Sequence, residues 1–196
     1  MLIKICGITN LDDALAAADA GASALGFNFW PNSPRYIEPR QARPIIDALP
    51  SHVLPVGVFV QPSPGLLAEV LAHVPLRAVQ IHGQYPGRLE GIKLWRALAV
   101  TPDWNGTLQG EADAWLLDAP SGELWGGTGR TFDWSKAVGL RQRIILAGGL
   151  DASNVWQAIQ MVQPWGVDAC SRLEVQPGRK DHAKMRAFIA AAREAI

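Results

Sequence analysis

The sequence is poor in the features that most readily name a function. Only two cysteines occur among its 196 residues, Cys6 and Cys170, and they form no CxxC pair. That rules against a disulfide framework or a zinc ribbon and suits a reducing, cytoplasmic location. The four histidines, His52, His73, His82 and His182, fall at no metal-ligand spacing. No apolar run approaches a bilayer span, and the N-terminus lacks the charged-then-apolar pattern of a signal peptide. Lys plus Arg and Asp plus Glu each number 18, a formal net charge of zero that gives no electrostatic reason to expect nucleic acid or an anionic membrane as partner. A GxGxxG turn after the first strand, the mark of dinucleotide binding, is also missing. With 48% apolar residues, the chain is rich enough in core formers for one sizeable domain, taken here as residues 1–196.

What is present is an alternation of short apolar runs and helical patterns. Strands are expected at 2–6, 24–29, 54–60, 77–82, 92–98, 114–118, 143–147 and 166–171. Helices are expected at 11–20, at 39–49 behind Pro39, from Ser63 or Pro64 to 73, over 132–140, from Asp151 or Ser153, and over 181–195, with a weak segment at 102–108. No linker or low-complexity tract divides them. Eight βα units predict an α/β fold, a minimal (β/α)₈ TIM barrel, with a doubly wound open sheet as the structural alternative.

In such a barrel, chemistry sits at the carboxyl ends of the strands. Cys6 ends the first strand just before Gly7, and Asn10 is a suitable helix N-cap. A lone strand cysteine is most often a small core hydrophobe, so its meaning depends on its neighbours. Alternation groups Lys4 with Cys6 and Gln80 with His82, while Asp168 lies within the eighth strand. Lys4 and Asp168 either pair inside the barrel or serve the site. Asp118 ends an apolar strand beside the glycine-rich stretch Gly126-Gly127-Thr128-Gly129; desolvation there would raise its pKa and suit it to act as an acid. Gly148-Gly149 after the seventh strand, with Ser171-Arg172 after the eighth, occupies the usual phosphate position of a barrel, where freed backbone N–H groups face an anion. Arg35, between Pro34 and Tyr36 in a loop stiffened by two prolines, is placed to grip a carboxylate.

The combination resembles the phosphoribosylanthranilate isomerase family of tryptophan biosynthesis. The segments that carry the resemblance are Lys4-Ile5-Cys6-Gly7-Ile8-Thr9, Gly26-Phe27 with Ser33-Pro34-Arg35-Tyr36-Ile37, Val56-Gly57-Val58-Phe59-Val60, Val79-Gln80-Ile81-His82-Gly83, Leu117-Asp118 with Gly126-Gly127-Thr128-Gly129, Leu146-Ala147-Gly148-Gly149-Leu150, and Pro177-Gly178-Arg179-Lys180-Asp181. They run in order through the whole chain. The resemblance implies a (β/α)₈ barrel and an Amadori rearrangement of N-(5′-phosphoribosyl)anthranilate, needing no metal and no other cofactor. It implies Asp118 as general acid and Cys6 as general base, Arg35 on the anthranilate carboxylate, and Gly148, Gly149 and the end of strand eight at the phosphate. Gln80, His82 and Asp168 match polar pocket residues without assignable roles. The expected partner is the small phosphoribosyl substrate, for a monomer or homodimer.

One position departs from the family pattern. Where the family reads Ser-Gly-Val-Glu, this chain has Ser171-Arg172-Leu173-Glu174. A glycine there would serve close approach or a positive φ; Arg172 is expected to add a salt bridge to the phosphate, the other outcome being that it crowds the site. Competing readings are another phosphosugar isomerase or epimerase on the same barrel, a phosphate-ligand binding protein that has lost turnover through Arg172, and Cys6 as a redox sensor, which lacks a nearby resolving thiol unless Cys170 folds close.

Overall fold

A computed structural model describes residues 1–85, 89–120 and 129–195. Eight parallel strands close into a barrel in sequence order: β1 (Leu2–Cys6), β2 (Ala24–Asn28), β3 (Leu54–Val60), β4 (Ala78–His82), β5 (Lys93–Ala99), β6 (Ala114–Asp118), β7 (Ile144–Leu146) and β8 (Gly166–Ala169). The closing seam pairs β1 with β8, setting Lys4 opposite Asp168 and Ile5 opposite Ala169. The open-sheet alternative is thereby excluded.

Helices α1 (Leu11–Ala20), α2 (Pro39–Asp47), α3 (Pro64–His73), α4 (Val155–Val162) and α5 (His182–Glu194) pack on the outside. Their ends follow the local chemistry. The Asn10 side chain accepts from the Asp13 N–H, Ser63 from Leu66, and Asp181 from Ala183 and Lys184. The ring of helices is incomplete. Among the described residues none follows β4 or β5, and the helix expected over 132–140 is only a 3₁₀ turn, Trp134–Ala137. The weak 102–108 pattern does not form a helix because Pro102, Gly106 and Gly110 interrupt it before it gains an apolar face. A short hairpin that periodicity could not reveal, β9 (Glu174–Gln176) with β10 (Arg179–Lys180), lies between β8 and α5.

Two apolar layers result. The larger lies between sheet and helices, and a smaller one fills the barrel with Ala24, Val56, Ala78, Trp95, Ala114, Leu116, Ile145 and Ala147. Small residues on β2, β4 and β6 leave room for Trp95, which is fully buried and meets Trp165 edge-on at 6.0 Å. Above this plug the inward positions turn polar: Lys4 and Cys6 on β1, Gln80 and His82 on β4, Asp118 on β6 and Asp168 on β8.

Candidate active site

A cavity of about 220 Å³ opens at the carboxyl end of the barrel and brings together Cys6, Arg35, Gln80, His82, Asp118 and Asp168. Gly148, Gly149, Ser171 and Arg172 line a smaller recess that shares Asp118 and Asp168 with it. These ten residues therefore line two adjoining depressions, and Lys4, also noted in the sequence, lines neither. Of the glycine-rich stretch after Asp118, Gly129 lines the recess, whereas Gly126, Gly127 and Thr128 lie outside the described residues.

Charge is arranged around Cys6 in layers. Lys4, fully buried beneath it, donates to Asp168 Oδ1 at 2.8 Å, so these two groups do pair inside the barrel. Burial opposes the Lys4 charge, but the negative charges of Asp168 and Cys6 outweigh it and hold the ammonium protonated. The neighbouring Cys170 thiol is the largest influence pulling the Cys6 pKa well below its ordinary value. The charges of Lys4 and Lys180 work in the same direction against burial. The Cys170 pKa is raised by its neighbour Cys6 and by burial, and its Sγ lies 3.9 Å from Glu174 Oε1. Cys6 is thus the group of the pair drawn towards the thiolate, the form in which a cysteine can take up a proton.

Asp118 is the complementary group. Burial raises its pKa to about 6, partly offset by the Ala119 N–H donating to Oδ1 at 2.7 Å, and the Cys6 charge raises it further. A carboxyl group in this state exchanges protons near neutrality. Burial likewise lifts Asp168 to about 7 against the pull of Lys4. His82 is lowered to about 4 by burial and by the Lys4 charge, so its ring is neutral at physiological pH. Gln80 Nε2 lies 2.9 Å from His82 Nε2, which fixes Nε2 as the acceptor and the proton on Nδ1. Gln80 Oε1 is buried with no hydrogen-bond partner among the described residues, an acceptor available to a ligand hydroxyl.

Arg35 is held from behind by Glu174, with Nε to Oε1 at 2.9 Å and Nη2 to Oε2 at 2.7 Å. The side-on edge of the guanidinium is thereby committed, and the Nη1 edge is unused among the described residues. Burial would weaken the Arg35 charge, but Glu174 more than restores it. Glu174 also takes Lys180 Nζ at 2.9 Å. The sequence does not indicate Glu174 and Lys180 as structural members of the site, and leaves open whether Cys170 folds close to Cys6; the seam between β1 and β8 brings the two together. Lys180 lies in a segment already noted for its resemblance, but only the hairpin fold brings it to Cys170, 3.7 Å from its Sγ.

At the recess, Gly148 and Gly149 both have positive φ, 79° and 60°, and stand in close contact with backbone. A Cβ on Gly148 would lie 2.7 Å from Ala119 N and 3.0 Å from Asp118 Oδ1, and one on Gly149 2.7 Å from Gly129 O. Only glycine fits both positions. Arg172 belongs to the 3₁₀ turn Ser171–Leu173 and has no positive φ, so its backbone makes no demand for glycine. Its side chain runs along the rim, donating from Nε to Gly129 O at 2.9 Å and from Nη1 to Asp151 Oδ2 at 2.7 Å. It borders the recess without filling it.

Comparison with known proteins agrees with this geometry. The family model described as N-(5′-phosphoribosyl)anthranilate (PRA) isomerase matches residues 3–191. The chain is 46% identical to the N-(5′-phosphoribosyl)anthranilate isomerase of Solibacter usitatus, covering 100% of this chain and 99% of that protein. Among solved structures, the isomerase of Thermotoga maritima superposes with a TM-score of 0.86 at 39% identity over 99% of both chains. That of Thermus thermophilus reaches 0.90 at 32% identity over 100% of both. A further similar structure, with a TM-score of 0.83 at 37% identity over 99% of this chain and 100% of that one, is an isomerase in complex with reduced 1-(o-carboxyphenylamino)-1-deoxyribulose 5-phosphate. The chain, a TIM barrel with this site at its carboxyl rim, belongs to the phosphoribosylanthranilate isomerase family of tryptophan biosynthesis.

Proposed function

We propose that Asp118 and Cys6 are the acid and the base that convert N-(5′-phosphoribosyl)anthranilate into 1-(2-carboxyphenylamino)-1-deoxyribulose 5-phosphate. The observation that carries this reading is the opposite tuning of two groups in one cavity: a thiolate at Cys6 and a carboxyl raised to about 6 at Asp118. Asp118 donates its proton to the ribose ring oxygen, and the ring opens to a Schiff base. The electron-poor imine acidifies C2, whose proton passes to the Cys6 thiolate. The resulting enolamine tautomerises to the ketone. Protons pass between substrate and enzyme, the ring C–O bond opens, and C1 is reduced as C2 is oxidised within the substrate, so the chemistry calls for no redox partner.

The two ends of the substrate are assigned by charge and shape. The unused Nη1 edge of Arg35 takes the anthranilate carboxylate, with Glu174 holding the guanidinium rigid. The backbone of Gly148 and Gly149, Ser171 and the rim guanidinium of Arg172 take the phosphate. Gln80 Oε1 accepts from a ribose hydroxyl, and neutral His82 and the Lys4–Asp168 pair orient the floor beneath it. No helix among the described residues is long and apolar enough to cross a membrane, and two free thiols suit a cytoplasmic enzyme. One similar structure is of monomers derived from the dimeric Thermotoga maritima isomerase, which favours a homodimer here, readable by light scattering.

The test is the loss of fluorescence of freshly generated phosphoribosylanthranilate, followed with the wild type, Cys6→Ser and Asp118→Asn. Each substitution is expected to lower kcat by about 10²-fold or more, the usual scale of a general acid or base. A folded variant turning over within about threefold of the wild type would remove that residue from its role.

A further inference from the structure

Cys170 raises a second possibility for the thiol at the centre of the site. Along the closing seam Lys4 faces Asp168 and Ile5 faces Ala169, and the next position along each chain is Cys6 and Cys170. Neighbouring strands lie about 4.8 Å apart, within the roughly 4.4–6.8 Å between Cα atoms that a disulfide spans. A methyl group on Gly7, the residue after Cys6, would lie 3.0 Å from Cys170 Sγ, so that sulfur sits against the end of β1. Both also line the open cavity, so a small oxidant in solvent has access to them. A lysine stands near each thiol, both paired with carboxylates: Lys180 Nζ is 3.7 Å from Cys170 Sγ and bonded to Glu174, whose Oε1 is 3.9 Å from that sulfur, and Lys4 on the strand of Cys6 is bonded to Asp168. Positive charge both favours the thiolate and stabilises a departing hydroxide. No step of the rearrangement passes a proton or a bond through the sulfur at position 170.

We propose that Cys6 and Cys170 form a peroxide-responsive dithiol that closes to a disulfide and reversibly switches the isomerase off. In the first step the Cys6 sulfur attacks one oxygen of hydrogen peroxide or an alkyl hydroperoxide. An S–O bond forms, the O–O bond breaks, and hydroxide or alkoxide leaves with the electron pair, so the sulfur is oxidised by two electrons to a sulfenic acid. In the second step the Cys170 sulfur attacks that sulfenic sulfur. The S–S bond forms, the S–O bond breaks, and the departing hydroxyl takes up the thiol proton as water. A dithiol reductant reverses the change by exchange, its own two thiols becoming a disulfide. The closed form has no thiolate to accept the C2 proton, and it shields Cys6 from irreversible oxidation to the sulfinic acid. Loss of activity on closure rests on Cys6 as the base; formation of the bond does not.

The experiment exposes the full-length wild type, Cys170→Ser and Cys170→Ala to brief hydrogen peroxide and quenches with an alkylating agent. Intact mass, peptide mapping and turnover before and after dithiothreitol are then measured, each protein compared with its own untreated rate. The wild type should lose both alkylation sites, become about 2 Da lighter before alkylation and yield a Cys6–Cys170 cross-linked peptide. Its rate should fall at least about tenfold and return almost fully with dithiothreitol. Both variants should instead accumulate oxygen on Cys6 and recover poorly. A wild type that gains oxygen on Cys6 without the cross-link overturns the switch alone, as does equal recovery in the variants. A cross-linked wild type that keeps its full rate overturns the switch and, separately, Cys6 as the base.

Discussion

Gly26→Ala adds one methyl group directly against the sulfur of Cys6. Gly26 on β2 pairs with Cys6 on β1, and its backbone is not in the left-handed region, so the effect is one of space alone. The new Cβ would lie 2.8 Å from Cys6 Sγ, 3.1 Å from Lys4 Nζ and 3.2 Å from Cys6 Cα. Comfortable non-bonded separations begin at about 3.5 Å, so the sulfur has to retreat by roughly 0.7 Å or more. Lys4, the other group the methyl would meet, is tied to Asp168 and cannot easily yield. Overpacking of this kind costs about 1–3 kcal/mol of stability, and a misplacement approaching 1 Å costs on the order of 10² in rate. The expected variant folds, melts a few degrees lower (about 2–4 °C per kcal/mol in a domain of this size) and has kcat reduced by about 30- to 100-fold. The assay is saturating turnover of phosphoribosylanthranilate by fluorescence, well below the melting temperature measured on the same sample. A kcat within about threefold of the wild type would show that the position of the Cys6 sulfur does not limit the chemistry.

Two further substitutions test other parts of the site. Arg172→Gly removes a rim guanidinium already tied to Asp151 and Gly129; it should raise KM by about three- to tenfold at low salt, the worth of one partly exposed charge-assisted contact, and leave kcat nearly unchanged. A large gain in kcat/KM for the glycine variant would instead mean that Arg172 obstructs the phosphate. His82 is held at about 4 in the fold against an ordinary 6.5, so unfolding takes up a proton between those pH values. Stability is complete above pH 6.5 and falls as the pH drops towards 4, by roughly 3 kcal/mol for this group. His82→Gln should flatten that slope in denaturant titrations run from pH 7 to 4, and an unchanged slope would refute a neutral buried imidazole.

How much of the site could be read in one dimension differs residue by residue. Cys6, Asp118, Gly148 and Gly149 were legible because each closes an apolar strand or follows one, and strand ends in a parallel barrel share a rim. Lys4 with Asp168 was visible as two polar positions on otherwise apolar strands, though not whether they met; the 2.8 Å contact decides that. For Arg172 the sequence leaves open whether it reaches the phosphate or crowds it; the structure ties its side chain to Gly129 and Asp151 along the wall of the recess. Glu174 stands in the sequence only as the last residue of the Ser171-Arg172-Leu173-Glu174 match, with no partner or role indicated. It follows a 3₁₀ turn in a polar stretch, and only the hairpin and the loop after β2 bring Lys180 and Arg35 to it.

The missing helices show where local preference ends. The strand pattern survived around β5 because alternation and burial on the barrel face are enough to hold a strand. The 102–108 stretch depended on intrinsic helix propensity, which proline and glycine defeat.

The sequence by itself determined the eight strands, their inward and outward faces and the caps that start α1, α3 and α5, because periodicity and capping act within a few residues. Only the tertiary structure decided what stands beside Cys6. The seam between β1 and β8 joins residues 164 positions apart, and its register is set by closure of the whole barrel rather than by any neighbouring residue. That closure sets Lys4 on Asp168 and Cys6 beside Cys170, and so draws the pKa of an ordinary strand cysteine well below its usual value.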